Sequence, residues 1–103
     1  MEPNGFDVEV EHLDGTVTLR PSGELDLATA PVLERALDGL IHGDHAVVLD
    51  LSGLTFADCA GLEPIRWAPR RRAPGGIRIV GARGAVARVL VLTDVQEPLQ
   101  VDG

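Results

Sequence analysis

Apolar and polar residues alternate at the start of the chain. Phe6, Val8 and Val10 interleave with Asp7, Glu9 and Glu11, the period of two that marks a strand with one wet face. Asp14-Gly15 follows, a tight-turn dipeptide, and Thr16 to Leu19 resume the alternation. This pattern predicts a β-hairpin. Pro21 removes one strand N–H and predicts an unpaired or irregular strand end. Gly23 to Asp26 then lead out of the strand into a helix. Thr29 or Ala30 can cap that helix and Pro31 suits its first turn. Val32, Leu33, Ala36, Leu37, Leu40 and Ile41 recur at helical spacing, with Glu34, Arg35 and Asp38 on the other side. Gly43 is the expected stop.

The period changes again at His45–Leu51, nearly continuous in Val and Leu, which predicts a central strand covered on both faces. Ser52-Gly53 turns the chain, Leu54 to Ala57 read as a short apolar loop, and a helix is expected from about Ala60 towards Arg72. Pro64 and Pro69 fall inside that span, so a short or kinked helix is expected. Ala73 to Gly76 form a loop, and Ile77 to Val80 a strand. Gly81 to Gly84 turn into a final helix with Ala85, Val86, Val89, Leu90 and Leu92 on its apolar face. Pro98 to Val101 can add a terminal strand. The order predicts one α/β domain over residues 1–103: a small mixed sheet, an N-terminal hairpin plus parallel strands, packed with about three helices.

Composition narrows the function classes. With 103 residues and 45% apolar content the chain can bury a real core. Nine arginines, no lysine and sixteen acidic residues give a net charge of −7. Such a surface repels phosphate backbones and anionic lipid, which argues against nucleic-acid and membrane-surface binding. The single cysteine, Cys59, cannot form an internal disulfide. No basic start with an apolar run marks a leader, and no run reaches the roughly 18 residues of a membrane span. A cytoplasmic setting is expected.

Candidate chemistry gathers at Leu49–Leu62, where an apolar strand delivers the chain to Asp58-Cys59-Ala60-Gly61 and a helix start. A helix N-terminus presents unpaired N–H groups and partial positive charge. The simplest role of Asp58 is to cap that helix, and of Asp26 to hold a turn or helix entry. Cys59 fits as a small filler, since no resolving cysteine accompanies it. His12, His42 and His45 have no sequence relation to it that would support a Cys–His pair. The His42 to His45 stretch lacks the three or four convergent ligands of a metal site. Neither a cofactor nor a catalytic residue is expected. Asp50, in an apolar strand, needs a hydrogen-bond donor or a place at the sheet's end. Arg70-Arg71-Arg72 read as a solvated helix end or a docking edge. Trp67 reads as a core residue or an exposed interface anchor.

G-E-L-D-x-x-T-A-P-x-L at Gly23–Leu33, V-V-L-D-L-S-G-L-T-F-x-D at Val47–Asp58, Gly61-Leu62, Gly75-Gly76 and V-x-x-V-L-x-L-T at Val86–Thr93 occur in order. This set resembles the STAS domain of bacterial anti-sigma factor antagonists, over about residues 6–101. The resemblance implies a non-enzymatic member of a partner-switching pathway that binds an anti-sigma factor, itself a serine kinase. It places the partner surface at Asp26, Asp58, Cys59, Ala60, Gly61 and Leu62, and leaves a homodimer open. It also implies a phosphoacceptor Ser or Thr two residues after the loop aspartate. Here that position is Ala60, which has no hydroxyl to phosphorylate. Three readings follow: an antagonist controlled by its amount, a scaffold or orphan member that binds a kinase-like partner without being switched, or control moved to Ser52, Thr55 or Cys59. The alternative function is an accessory or scaffold subunit of another complex, such as a transport ATPase.

Overall fold

Asp14 at φ 51° and Gly15 at φ 79° make the two-residue turn with both central residues left-handed. Its twist matches that of the strands it joins. β1 (Asp7–Leu13) and β2 (Thr16–Leu25) therefore pair antiparallel over seven positions, from Asp7 opposite Ser22 to Leu13 opposite Thr16. The computed structural model describes residues 5–40, 45–65, 77–92 and 100–102, with the side chains of 90–92 and 100–102 left aside.

β2 does not end at Pro21. It changes partner there. Thr16–Leu19 run parallel to β3 (Ala46–Asp50), and Gly23–Leu25 run parallel to β4 (Leu54–Ala57), with a register shift between Gly23 and Glu24. Pro21 stands between the two pairing stretches, so its missing N–H deprives neither ladder of a bond. The segment read as an apolar loop is thus a strand, half-buried through Leu54 and Ala57 while Thr55 and Phe56 face outward. The turn into it is tight. Leu54 N–H donates to Leu51 C=O, and Gly23 N–H donates to Gly53 C=O at 3.1 Å.

The main sheet has the order β1-β2-β3-β5-β6, where β5 is Ile77–Val80 and β6 is Gln100–Asp102; β4 joins it through β2. All pairs beyond the hairpin are parallel. Three helices cover one face: α1 (Ala30–Asp38), α2, whose opening turn spans residues 63–65, and α3 (Gly84–Leu92). Leu33 and Leu37 of α1, Leu62 and Ile65 around α2, and Val86 of α3 share one core with Leu19, Val47, Leu49, Ile77 and Ile79. Burial along β3 alternates accordingly, Val47 and Leu49 buried, Val48 and Asp50 half-buried. The expected two-sided cover of β3 is not found, because no described helix lies on the second face.

One boundary and one helix face also differ from the sequence reading. α1 ends at Asp38 with Gly39 as its C-cap, earlier than Gly43, which lies outside the described residues. Pro64 falls within the helical residues 63–65, where a missing N–H in the first turn costs nothing, and the rest of the expected short or kinked helix lies outside the described residues. On α3, Ala87 packs against the core while Ala85 is exposed. Pro69, Trp67, Arg70 to Arg72 and the 73–76 loop lie outside the described residues, as do Ile41 and His42.

Candidate functional site

Two turns at one end of the sheet build the site. The first leaves β2. Asp26 Oδ1 accepts the N–H groups of Ala28 at 3.0 Å and Thr29 at 3.1 Å. Its own N–H donates to Thr29 Oγ1 at 2.9 Å. The Thr29 hydroxyl in turn donates to Glu24 C=O at 2.7 Å. Thr29 occupies the N-cap position of α1, but its side chain makes no cap bond. It is fully buried and staples the turn instead. Asp26 is therefore occupied with shaping the loop, and the loop's outward product is Leu27, 76% exposed.

The second turn leaves β4. Asp58 N–H donates to Leu25 C=O at 3.2 Å, continuing the β2–β4 pairing by one residue. Its carboxylate accepts Gly61 N–H at 2.8 Å, and its carbonyl accepts Leu62 N–H at 3.1 Å. Asp58 thus takes up the orphan donors that a helix start leaves. Leu62 and Ile65, both fully buried, anchor the far side. Gly61 is required by proximity. A Cβ there would sit on the Leu25 carbonyl and within 2.8 Å of Asp26 N, a gap that only glycine allows. Gly61 is the point where the two turns touch.

Between these fixed ends Cys59 is exposed and Ala60 half-buried. Ala60 forms one wall of an open groove of about 240 Å³, with Leu27, Ala30, Pro31, Glu34, Glu63 and Pro64. Its floor is apolar and Glu34 and Glu63 stand at its rim. With Asp26 and Asp58 in the two turns the neighbourhood is acidic. Sequence reasoning missed Leu27, Pro31, Glu34, Glu63 and Pro64. T-A-P and G-L-E-P each mark a helix start in the sequence, but only the fold sets the two starts face to face.

The structure thus brings together all six expected surface residues, Asp26 and Asp58 to Leu62, with two aspartates and Gly61 shaping the backbone and Leu62 in the core. Among the described residues no histidine lines the groove beside Ala60. Among the described residues no group of three His, Cys, Asp or Glu side chains converges as a metal site. No described helix is long and apolar enough to cross a membrane. Of the other candidates for control, Ser52 and Thr55 are exposed.

Asp50 finds donors at the other corner of the same sheet end. Its Oδ1 accepts Ser52 N–H at 3.0 Å and its Oδ2 meets Arg20 Nε at 3.3 Å. Arg20 also reaches Glu11 at 2.9 Å, spanning three strands on the uncovered face. Burial pushes the Asp50 carboxyl up, but the hydrogen bonds from Ser52 and Arg20 outweigh it, leaving the group below its ordinary value.

Comparison with known proteins agrees with this geometry. The STAS domain family model matches residues 7–101. The anti-sigma-F factor antagonist RsfB of Mycobacterium tuberculosis is 34% identical over 88 residues, 84% of this chain and 71% of that protein. An anti-sigma factor antagonist from Mycobacterium paratuberculosis superposes with a TM-score of 0.84 at 30% identity, over 96% of this chain and 88% of that one. The Bacillus cell fate determinant SpoIIAA, in its phosphorylated form, gives 0.69 at 17% identity over 94% and 92%, a likeness of fold alone.

Proposed function

The chain belongs to the STAS domain family, and from that premise we propose that it is a non-enzymatic regulator whose Leu27–Ala60 surface binds an anti-sigma factor of the serine-kinase type. The observation that carries this reading is the close approach at Gly61, which brings the Asp26–Thr29 and Asp58–Leu62 turns together as one surface. A preformed apolar groove with an exposed Leu27 at its edge is what a partner helix or loop needs, since little ordering entropy is spent on the site itself. The acidic rim selects a partner with basic residues around an apolar anchor. Ala60 offers no hydroxyl, so kinase activity of the partner does not release this surface by modifying it.

Binding to purified anti-sigma factors of the source organism, measured by calorimetry, tests the reading. One of them should bind, and Leu27→Asp should weaken that binding about tenfold or more, as loss of an exposed apolar anchor does. With ATP present, mass spectrometry should find peptide 54–63 unmodified. A phosphate on Ser52 or Thr55 would move control there. Failure to bind any anti-sigma factor, together with co-purification of a transport ATPase subunit, would favour the accessory-subunit reading, which the missing hydroxyl at Ala60 makes the second choice.

A further inference from the structure

β1 ends the sheet on its hairpin side, and among the described residues nothing pairs with its outer edge. Edge strands are ordinarily blunted by brevity, proline, a bulge or lysine. β1 has none of these. It runs seven residues in unbroken register with β2 and contains neither proline nor lysine. Its protection is acidic charge alone: Asp7, Glu9 and Glu11, all exposed. Glu11 is matched by Arg20 at 2.9 Å. Among the described residues Asp7 and Glu9 form no ion pair.

The two faces of β1 differ. Val8 lies opposite Pro21 and Val10 opposite Leu19, so both point to the helix-covered side. Glu9 lies opposite Arg20 and Glu11 opposite Thr18, on the uncovered side. Beyond the edge, on the helix side, a shallow groove runs between β1 and α1, lined by Asp7, Val8, Val10, Val32, Arg35 and Ala36. Val10 is 48% exposed there. A strand added to β1 would place every second side chain over Val8, Val10, Val32 and Ala36, and the alternate ones beside Glu9 and Glu11.

We propose that β1 is a second docking edge, which accepts an extended segment of a partner protein that alternates apolar with Lys or Arg residues. This is strand addition, in which backbone bonds supply affinity and the alternate side chains supply choice. Charge decides against a second copy of this chain. Antiparallel self-pairing centred on Val10 would set Glu9 of each copy against Glu11 of the other, and like charges directly opposite destabilise a sheet. The edge is separate from the Ala60 groove and stands whether or not that groove binds an anti-sigma factor.

The test is a titration of the isotope-labelled protein, followed by amide NMR shifts, with a capped heptapeptide alternating lysine and valine. A peptide of the same composition with its valines contiguous, and one alternating glutamate and valine, serve as comparisons. Shifts confined to residues 7–13 and the Val32–Ala36 side of α1, larger for the alternating lysine peptide than for either comparison, are expected. Asp7→Lys with Glu9→Lys should weaken that binding on the order of tenfold and favour the glutamate peptide. Asp7→Asn with Glu9→Gln, which leaves Arg20 unchallenged, should weaken it by a smaller factor. Equal binding of the contiguous peptide, shifts centred elsewhere, no shifts at millimolar peptide, or self-association of the free protein through β1 would each overturn the proposal.

Discussion

Two corners at the same end of the sheet use the same device to different ends. At one, Asp50 closes the end of β3 onto Ser52 N–H, and Gly81 packs against that carboxylate. At the other, Asp58 closes the end of β4 onto Gly61 N–H, and Gly61 packs against β2. Each pairs a strand-end aspartate with a glycine that allows close approach. The Asp50 corner also holds a cation, Arg20, and its charge is spent inside the fold. Among the described residues the Asp58 corner has no cation in its bonds. It leaves Cys59 exposed and Ala60 half-buried between two fixed ends. The first corner ties the sheet together; the second leaves residues open, and under the proposed function these face a partner. What separates them is whether a counter-charge seals the turn.

The glycines should break this comparison most sharply. Gly61→Ala drives a methyl into the Leu25 carbonyl and Asp26 N, backbone atoms that cannot swing away. We expect it to cost about 3 kcal/mol, at the upper end for overpacking. Gly81→Ala forces a left-handed φ of 77° on a residue with a Cβ and meets Asp50 Oδ1, a side-chain tip, at 2.6 Å, with the Ser52 backbone N farther off at 3.0 Å. It should cost less, about 1–2 kcal/mol. Urea denaturation of the two variants orders them. If Gly81→Ala proves the costlier, the Asp50 corner rather than the Asp58 corner is the rigid one.

A middle-sized effect concerns charge at the sealed corner. The folded-state carboxyl of Asp50 lies below its ordinary 3.8. Its ionised form therefore contributes stability that is complete well above that value. The contribution is lost as pH falls through the lower, folded-state value. Asp50→Asn should destabilise by about 1 kcal/mol at pH 7, the scale of an ordinary net hydrogen bond, since water screens the partly exposed Arg20 pair. The gap between wild type and variant should narrow as pH falls below the carboxyl's ordinary 3.8. Thermal denaturation across pH 2–7 measures it. A gap independent of pH would mean that shape, not charge, holds this corner.

Much of this arrangement was legible in the sequence where local chemistry and tertiary packing agree. Asp14-Gly15 demanded the hairpin, and Val47, Leu49, Ile77 and Ile79 announced core strands by their apolar character. The apolar stripe through Leu33 and Leu37 likewise marked the buried face of α1. Legibility failed where a partner decides. β4 has only four residues, with Thr55 and Phe56 adjacent and both exposed, so no alternation showed. It is a strand because the end of β2, freed from β3 after Leu19, lies beside it. Pro21 looked like a terminus for the same reason. Thr29 stands at the N-cap position, but its hydroxyl donates to Glu24 C=O and accepts Asp26 N–H from the preceding turn, which no local pattern announces. The site's shaping residues could be named from the sequence; the groove wall opposite Ala60 could not, because α1 and α2 meet only through the fold.

The smallest effect on stability bears most directly on the displayed corner. Ala60→Ser adds one hydroxyl to a half-buried residue on the groove wall, with open space beside it. No backbone bond depends on the Ala60 side chain, and the Asp58–Gly61 and Asp58–Leu62 bonds remain. The change in unfolding free energy should stay within about 0.5 kcal/mol, as for surface substitutions away from special features. Incubated with a bound kinase-type partner and ATP, this variant should gain one phosphate at residue 60, whereas the wild type gains none there. That phosphate would carry roughly −1.5 to −2 charges into a groove rimmed by Glu34 and Glu63. Repulsion there should loosen the complex and make its affinity strongly salt-dependent. A serine that is phosphorylated yet leaves affinity unchanged would place the partner away from Ala60. Loss of stability well beyond 0.5 kcal/mol would show that the displayed corner is as tightly packed as the sealed one, and the distinction between the two would fall.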